Sequence, residues 1–363
     1  MINTEYYKDL TRMNTFGMKV KSRCFIEYDS VADLVDIEFS ELARPVLHIG
    51  GGSNLLFTDD FKGTVLHSKI DFIEMLDGAD GTSASVIVSV GSGVTFDDFC
   101  GWAAKEGLWG VENLSHIPGE VGASAVQNIG AYGVEVKDVI RRVYCYDTVE
   151  EEFVSFSVDE CGYGYRDSIF KKPEIKGRYI VTHVVFELSR EPKPRLDYGH
   201  LKEAVYGHLD QSSDCHLDRA ERVEKSLTPA LIRKTIINIR KEKLPEPSVM
   251  GSAGSFFKNP VIEAELFRKI ESQARAEHGQ DFAVPHYDLP DGMVKVPAAW
   301  MIEQCGWKGR RSGGAAVYEK QPLVIVNYTG EAYPEEITGL ERRIIASVKA
   351  KFGVELHPEV EHI

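Results

Sequence analysis

A serine that could act as a nucleophile stands in a glycine-rich segment, residues 251–260. The segment reads Gly-Ser-Ala-Gly-Ser-Phe-Phe-Lys-Asn-Pro, so Ser255 directly follows a glycine. The strained turn of an α/β-hydrolase requires a glycine two residues after its serine, and Phe257 stands there instead. Two interpretations of Ser255 stay open: a hydroxyl positioned for chemistry, and an ordinary capped turn.

A planar cation follows an aromatic residue in the segment Gly-Tyr-Gly-Tyr-Arg-Asp, residues 162–167. The guanidinium of Arg166 could hold a carboxylate through two parallel N–H donors, and it would hold that group more tightly if its negative charge grew. The alternative is a surface ion pair between Arg166 and its neighbour Asp167.

Two further carboxylates, Glu359 and Glu361, stand in the segment His-Pro-Glu-Val-Glu near the end of the chain. Two acidic residues in such a place are ordinarily a charged tail. Only four residues follow Glu359, so we expect little downstream strand to anchor it.

Two glycine-rich loops could hold an anion or a flat heterocycle. The first places three glycines and two small polar residues between apolar runs: Gly50, Gly51, Gly52, Ser53 and Asn54. The second, residues 115–133, alternates glycines with small residues and two side-chain amides. Glycine lets backbone N–H groups approach an anion closely, and amides can recognise flavin ring atoms. A Rossmann loop is excluded because residues 55–57 predict a strand, not a helix; plain β-turns are the alternative.

The elements around these residues change in character along the chain. Short apolar runs between glycines predict strands at residues 45–49, 86–90 and 179–186, with one helix beginning after Thr95 and ending at Gly107. The polar stretch 211–226 predicts a linker or insertion near a domain boundary. Beyond it, helices are expected to begin at Pro229, Pro297 and Pro334, and residues 354–356 predict a short final strand.

Composition excludes several classes of protein. The 363 residues carry 42 basic and 56 acidic side chains, a net charge of −14, which argues against a nucleic-acid partner. The six cysteines form no C-x-x-C pair and no histidines have metal-ligand spacing, so neither a disulfide framework nor a metal site is expected. Without an apolar signal core or a membrane-length apolar run, we expect a cytoplasmic protein with no membrane partner.

Four motifs occur in order along the chain: Asn14-Thr15-Phe16-Gly17, Gly50-Gly51-Gly52-Ser53-Asn54, Ile117-Pro118-Gly119 with Val121-Gly122, and Gln127-Asn128-Ile129-Gly130-Ala131-Tyr132-Gly133. Their combination resembles the UDP-N-acetylenolpyruvoylglucosamine reductases, FAD enzymes of peptidoglycan precursor synthesis. The resemblance extends from about Asn14 to Glu359. It implies an α+β protein in which a two-subdomain FAD-binding fold of the vanillyl-alcohol-oxidase type precedes an α+β substrate-binding domain.

The domain division expected from this resemblance is contiguous. Residues 1–70 and 71–222 would form the two FAD-binding subdomains, residues 223–352 the substrate-binding domain, and residues 353–363 a segment carrying the catalytic glutamate.

The resemblance also implies roles for individual residues. Arg166 would hold the enolpyruvyl carboxylate, Ser255 would donate a proton, and Glu359 would be the catalytic glutamate. No metal is implied. The residues implied to bind FAD are Gly50, Gly51, Gly52, Ser53, Asn54, Ile117, Pro118, Gly119, Gly122, Ala123, Ser124, Gln127, Asn128 and Gly130.

The residues implied to bind the substrate are Tyr132, Tyr165, Tyr198, Lys243, Asn259 and Gln304. Tyr198 matches a tyrosine on a loop that covers the substrate in one subgroup of these reductases. Lys243 matches a contact to the UDP phosphates. From the residues alone, Tyr198 could equally face solvent near a turn, and Lys243 could simply be a favourable charge at a helix end.

The reaction implied is that of an FAD-containing, NADP-dependent oxidoreductase acting on a CH–CH bond. NADPH would reduce noncovalently bound FAD, and the reduced flavin would pass hydride to C3 of UDP-N-acetylglucosamine enolpyruvate while Ser255 protonates C2. The protein is expected to be a monomer. Two alternatives stay open: another FAD oxidoreductase of this fold, such as a hydroxy-acid or sugar-lactone oxidase, and a flavin-binding regulator without catalytic activity.

Overall fold

The computed structural model describes residues 1–77, 83–211 and 227–363. They form two compact units, each assembled from separate stretches of chain. The first comprises Met1–Lys8, Lys21–Gly52 and the described part of Phe61–Glu242, and the second comprises Asp9–Val20, Ser53–Asp60 and Lys243–Ile363. The four contiguous domains expected from the sequence stay a prediction. All but the first residue of the expected linker, 211–226, lies outside the described residues.

The elements of both units are numbered here in chain order. The helices are α1 Val31–Val35, α2 Phe96–Lys105, α3 Val121–Gln127, α4 Leu201–Gln211, α5 Pro229–Lys243, α6 Ala264–His278, α7 Ala298–Gln304 and α8 Pro334–Phe352. The strands are β1 Ile2–Asp9, β2 Lys21–Tyr28, β3 Val46–Ile49, β4 Leu55–Leu56, β5 Phe61–Ser68, β6 Ile73–Asp77, β7 Ser85–Gly91, β8 Gly130–Ala131, β9 Val134–Glu135, β10 Ile140–Asp147, β11 Glu152–Ser157, β12 Tyr179–Ser189, β13 Gly251–Ser252, β14 Val261–Glu263, β15 Tyr287–Asp288, β16 Met293–Lys295, β17 Arg311–Ser312, β18 Ala315–Val317, β19 Ile325–Asn327 and β20 Glu361–His362.

The first sheet of the first unit has the strand order β1-β2-β5-β3, and β5 runs parallel to both β2 and β3. Its buried face is apolar: Leu34 of α1 and Leu66 of β5 are fully enclosed in one cluster. A side chain at Gly63 would place its Cβ 1.8 Å from the Pro45 carbonyl oxygen, so the parallel pairing of β3 and β5 requires glycine there.

The second sheet of the first unit has the order β11-β10-β12-β7-β6 and is antiparallel throughout. Helix α2 covers it, and the ring of Phe99 lies 4.7 Å from that of Phe186 in β12. Thr95 is the N-cap of α2 and Gly107 follows its end with φ +71°, as the sequence predicts. Helix α5 begins at Pro229, also as predicted, and buries Ile232 and Ile236.

The second unit contains an antiparallel sheet of order β13-β19-β18-β17, a small sheet of order β14-β16-β15, and helices α6 to α8. The predicted stripe of α8 is confirmed, because Ile337, Leu340 and Ile344 are all fully buried on one face. Gly353 ends the helix in the left-handed region, with φ +69°.

The end of the chain differs from the prediction. Residues 354–356 form no strand; Val354 and Leu356 are buried, but the last strand is β20, which runs parallel to β4. The sequence could not show this pairing because the partner strand lies about three hundred residues earlier. Among the described residues, no helix combines the length and apolarity needed to cross a bilayer.

Candidate active site

The two predicted glycine loops meet in the first unit. A Cβ on Gly50 would lie 3.1 Å from the Cβ of Ala123, and one on Gly51 would lie 3.3 Å from the Cα of Gly119. These separations are shorter than ordinary van der Waals contact, so a side chain at either position would require the second loop to shift. Gly52 adds a left-handed turn with φ +59°, whereas Ser53 and Asn54 belong to the second unit.

The second loop is tied by backbone hydrogen bonds to the segment that precedes α2. The N–H of Phe96 donates to the carbonyl of Gly119 over 2.9 Å, and that of Gly122 donates to the carbonyl of Ser92 over 3.0 Å. Gly119 itself has φ +113°, which disfavours any residue with a side chain. Ile117 and Pro118 precede this turn, and Ser124 lies buried in α3 with its hydroxyl bonded to Val121.

The two amides of this loop are engaged by the protein itself. Asn128 ends α3 in the left-handed region, and its Nδ2 donates to the Glu135 carboxylate at 3.0 Å and to the Gly164 carbonyl at 2.8 Å. The Oε1 of Gln127 accepts from Nζ of Lys171 at 2.9 Å. Both amide side chains are thus used to hold the loop in place. A cofactor at this loop would therefore be contacted largely by backbone atoms.

Arg166 lies in a tight turn in which Gly164 and Asp167 exchange backbone hydrogen bonds. Its φ of +55° is in the left-handed region. The guanidinium donates from Nη2 to the Gly130 carbonyl at 2.7 Å and from Nη1 to the Asn128 carbonyl at 3.2 Å. Carbonyls orient a guanidinium without carrying a net charge. The structure thus brings Arg166 to the second glycine loop.

Tyr132 and Tyr198 lie edge to face, with ring centroids 6.1 Å apart. Asn113 connects the two chain segments that carry them. Its Nδ2 donates to the carbonyls of Tyr132 at 2.9 Å and of Arg195 at 2.7 Å. Among the described residues, its buried Oδ1 has no hydrogen-bond partner. Sequence reasoning missed Asn113, because nothing in its local sequence indicates contacts to two distant loops.

Arg240 is a second residue that sequence reasoning missed. From α5 its Nε donates to the carbonyl of His116, at the start of the second glycine loop, at 3.1 Å. Burial lowers the pKa of Arg240, while the charge of Arg166 lowers it further. Burial also raises the pKa of Tyr132, and a hydrogen bond from Arg240 opposes that rise. The same helix supplies Arg233, which pairs with Asp97 through Nη1 and Nη2 of its guanidinium. The signal available in the sequence was only a helix rich in basic residues.

Tyr165 is partly exposed, and its ring lies 5.7 Å from the guanidinium carbon of Arg166. This distance is within the range of a cation–π contact.

In the second unit, Ser255 is exposed between Gly254, which has φ +68°, and two buried phenylalanines. Phe256 and Phe257 are almost completely enclosed and fix the backbone on one side of the serine. The N–H of Phe256 donates to the Leu323 carbonyl at 2.8 Å. The arrangement presents a hydroxyl on a rigid turn.

Glu359 is held next to this turn. Its N–H donates to the Phe256 carbonyl at 2.8 Å, and its own carbonyl accepts from Nδ2 of Asn54 at 3.0 Å. The N–H of Glu361 then donates to the Asn54 carbonyl at 2.9 Å, which starts the pairing of β20 with β4. The strand downstream of Glu359 is short, as expected, but it pairs with β4, and Glu359 is fixed by backbone hydrogen bonds on both sides.

The remaining predicted residues of the second unit are less closely grouped. Lys243 is exposed at the end of α5. Asn259 accepts from the N–H of Ala298 at 2.9 Å and so caps the start of α7. Gln304, at the other end of α7, accepts from His278 at 2.8 Å; in the described part of the chain, its side chain is engaged by α6 rather than by another predicted site residue.

Comparison with known proteins identifies the family. Residues 23–153 match the FAD binding domain family, and residues 246–363 match the C-terminal domain of UDP-N-acetylenolpyruvoylglucosamine reductase. A reductase of that name from Bacteroides fragilis is 48% identical over 351 residues, covering 96% of this chain and 97% of the relative. The chain belongs to the UDP-N-acetylenolpyruvoylglucosamine reductase family.

Two further members of the UDP-N-acetylenolpyruvoylglucosamine reductase family are similar to this chain over nearly its whole length. The Porphyromonas gingivalis reductase is 43% identical over 359 residues, covering 98% of this chain and 97% of its own. The crystal structure of the Thermus caldophilus reductase aligns with a TM-score of 0.64 at 22% identity, covering 100% of this chain and 98% of that one. The resemblance and the FAD-binding fold predicted from the motifs are confirmed; membership of the tyrosine-loop subgroup stays a prediction.

The glycine loops of this reductase family member fit the FAD that its domain implies. Gly50 and Gly51 lie so close to the second loop that a Cβ on either would press against it, and Gly119 has a backbone conformation that favours glycine. The two loops therefore meet through backbone, whose N–H groups are what a pyrophosphate needs. Among the described residues, no group of three His, Cys, Asp or Glu side chains is placed to hold a metal ion.

Proposed function

We propose that this chain reduces UDP-N-acetylglucosamine enolpyruvate to UDP-N-acetylmuramate with electrons from NADPH, and that the residues described above carry the reaction. The observation that supports this most strongly is the turn on which Ser255 is exposed, fixed by a hydrogen bond from the backbone of Glu359 to Phe256. A flavoprotein that only binds its cofactor has no need of a serine and a glutamate on two segments whose backbones are bonded to each other.

FAD, when bound, supplies the chemistry of accepting hydride from NADPH and donating it to the enolpyruvyl double bond. The chain contributes the surface that would hold it. Backbone groups of Gly50, Gly51, Gly52 and Gly119 would contact the pyrophosphate, with Gly122, Ala123 and Ser124 at the start of α3. Gln127, Asn128 and Gly130 follow on the same loop, and Ser53, Asn54, Ile117 and Pro118 complete the proposed set.

Arg166 would hold the enolpyruvyl carboxylate. Two carbonyl acceptors already orient its guanidinium, so little side-chain entropy is lost when a carboxylate binds. Hydride addition at C3 sends negative charge through C2 into that carboxylate. A fixed cation stabilises the charge as it develops, which lowers the barrier rather than only tightening binding.

Ser255 would protonate C2, and Glu359 would assist from the segment that precedes β20. A serine hydroxyl is a weak acid, so it can donate only to a strongly basic carbon and only when held within hydrogen-bond reach. The enclosed Phe256 and Phe257 provide that fixed geometry. Glu359, if protonated, would donate a hydrogen bond to the developing charge.

The nucleotide part of the substrate would be bound by polar and aromatic side chains. We propose that Lys243 contacts the phosphates and that Asn259 and Gln304 make further polar contacts. Tyr132, Tyr165 and Tyr198 would line the site, with Tyr198 covering the substrate and excluding water. Arg240 is an additional candidate for substrate binding because it forms a hydrogen bond with Tyr132.

We also propose that the enzyme is a cytoplasmic monomer.

Product analysis tests this function. The purified protein should release free FAD on denaturation, because the cofactor is proposed to be noncovalent. Incubated with NADPH and UDP-N-acetylglucosamine enolpyruvate, it should yield a product heavier by one hydride and one proton, with the mass of UDP-N-acetylmuramate. Flavin release without formation of that product would refute the proposed reaction while leaving FAD binding intact.

A further inference from the structure

A buried histidine of the first unit is held between two carboxylates. His67 in β5 is 5% exposed. Its Nδ1 lies 2.9 Å from Oε2 of Glu27 in β2, and its Nε2 lies 2.9 Å from Oε1 of Glu120 in the turn before α3. Each ring nitrogen faces a carboxylate oxygen to which it can donate, and this is the arrangement that favours an imidazolium.

The other titratable groups around His67 are consistent with that charge. Burial lowers the pKa of His67. Hydrogen bonds to Glu120 and Glu27, and the charges of these two residues, raise it by more, so the pKa of His67 lies above its ordinary value. On the neighbouring strands, the Tyr28 hydroxyl and Nε2 of His48 share a hydrogen bond 2.8 Å long. Burial, and secondarily the charge of His67, lowers the pKa of His48 to about 3, so that ring is neutral. Burial raises the pKa of Tyr28.

Glu120 connects this cluster to the glycine loops. A Cβ on Gly50 would lie 3.2 Å from Oε2 of Glu120 and 3.5 Å from its Cβ. The Glu120 side chain therefore lies against the first loop, while its backbone belongs to the second, next to Gly119. It places a negative charge beside the loops that, under the proposed function, hold a doubly negative pyrophosphate.

We propose that His67 is a positioning residue for FAD: its ring holds Glu120 across the two glycine loops and offsets the repulsion between that carboxylate and the cofactor diphosphate. This inference rests on the proposed function. Loss of the His67 proton would leave Glu27 and Glu120 as two uncompensated carboxylates. FAD affinity should therefore fall as the pH rises through the pKa of His67, which lies above the ordinary histidine value.

A set of variants separates charge from packing. The dissociation constant of FAD is measured on flavin-stripped protein by quenching of flavin fluorescence at low salt. His67→Gln should bind FAD about tenfold more weakly, the effect of one unit charge near a diphosphate. Glu120→Gln should bind at least as tightly as the wild type, and His67→Gln with Glu120→Gln should recover most of the loss. His286→Gln, a histidine of the second unit, is the matched control and should keep the wild-type constant.

Two results would overturn the inference. One is a double variant that binds FAD more weakly than His67→Gln, since that pattern indicates a purely structural role for the pair. The other is an unchanged dissociation constant in His67→Gln, with wild-type FAD binding intact. Failure of the wild-type protein itself to bind FAD would instead refute the proposed function, so the two failures are distinguishable.

Nitrogen-15 NMR of histidine-labelled protein provides a readout that does not depend on the variants folding. In mildly alkaline buffer, the His67 ring should show two protonated nitrogens, as in an imidazolium. One ring nitrogen with the chemical shift of an unprotonated nitrogen would contradict the imidazolium form of His67.

Melting curves of each flavin-stripped variant establish that it is folded before FAD is titrated.

Discussion

The backbone N–H of Glu359 donates to the carbonyl of Phe256, the residue after Ser255, over 2.8 Å. This bond ties Glu359 to the turn that carries Ser255, the other candidate catalytic residue of the second unit, although the two residues are more than a hundred positions apart in the chain. The bond is made by backbone atoms alone, and it fixes the segment of Glu359 relative to the turn that carries Ser255.

The first prediction concerns Ser255→Ala. Reduction of the flavin by NADPH should be nearly unchanged, because the hydroxyl is needed only for protonation of C2. Reoxidation by the enolpyruvyl nucleotide should slow by about 10²- to 10⁴-fold, the usual contribution of a general acid. Stopped-flow absorbance measures both steps. Ser272→Ala, at an exposed position on α6, is the control; equal loss of both steps in Ser255→Ala would rule out a proton donor.

Arg166→Lys keeps the positive charge but loses the planar fork that bonds the carbonyls of Asn128 and Gly130. We expect kcat/KM for the enolpyruvyl nucleotide to fall by about 10²-fold, since a bidentate contact becomes a point charge. Reduction by NADPH should be little affected. Steady-state and stopped-flow kinetics measure the two effects, with exposed Arg141→Lys as the control. A wild-type kcat/KM would contradict the role of the guanidinium.

Asn113→Ala should loosen the segment that carries Tyr198. The substitution leaves the carbonyls of Tyr132 and Arg195 without their donor, which costs about 1–3 kcal/mol of unfolding free energy. Urea denaturation measures that loss, and trypsin should cleave after Arg195 faster than in the wild type. Asn238→Ala, exposed on α5, is the matched control. Unchanged stability together with unchanged cleavage would show that Asn113 does not hold this segment.

The contribution of His362, in β20, to the free energy of unfolding should decrease as the pH rises. A hydrogen bond from His362 to Glu341, 3.2 Å long, raises the pKa of His362 above its ordinary value of 6.5. A raised folded-state pKa gives stability that is complete below the unfolded value and is lost as pH rises through the folded value. His362→Gln should therefore be destabilised in mildly acidic buffer and differ little from wild type in alkaline buffer.

Urea denaturation at the two pH values measures this difference, and Glu341→Gln should show the same pattern because it removes the same pair. A constant gap between wild type and His362→Gln at both pH values would indicate that packing of the ring, which lies near Phe256, outweighs its charge.

Features encoded by neighbouring residues could be predicted from the sequence. Glycine spacing indicated both loops, and apolar periodicity with a terminal glycine predicted α8. The pairing of β20 with β4 could not be predicted, because strand register between distant segments depends on tertiary packing. Asn113 and Arg240 were missed for a similar reason: each acts through hydrogen bonds to backbone carbonyls, which leave no pattern in the local sequence.

The proposal of an enolpyruvyl reductase is tested most directly by anaerobic stopped-flow absorbance of the holoenzyme. NADPH should bleach the flavin absorbance, and UDP-N-acetylglucosamine enolpyruvate should restore it completely without oxygen. Bleaching by a hydroxy acid or a sugar lactone, combined with no recovery on addition of the enolpyruvyl nucleotide, would contradict the proposal and indicate an oxidase instead.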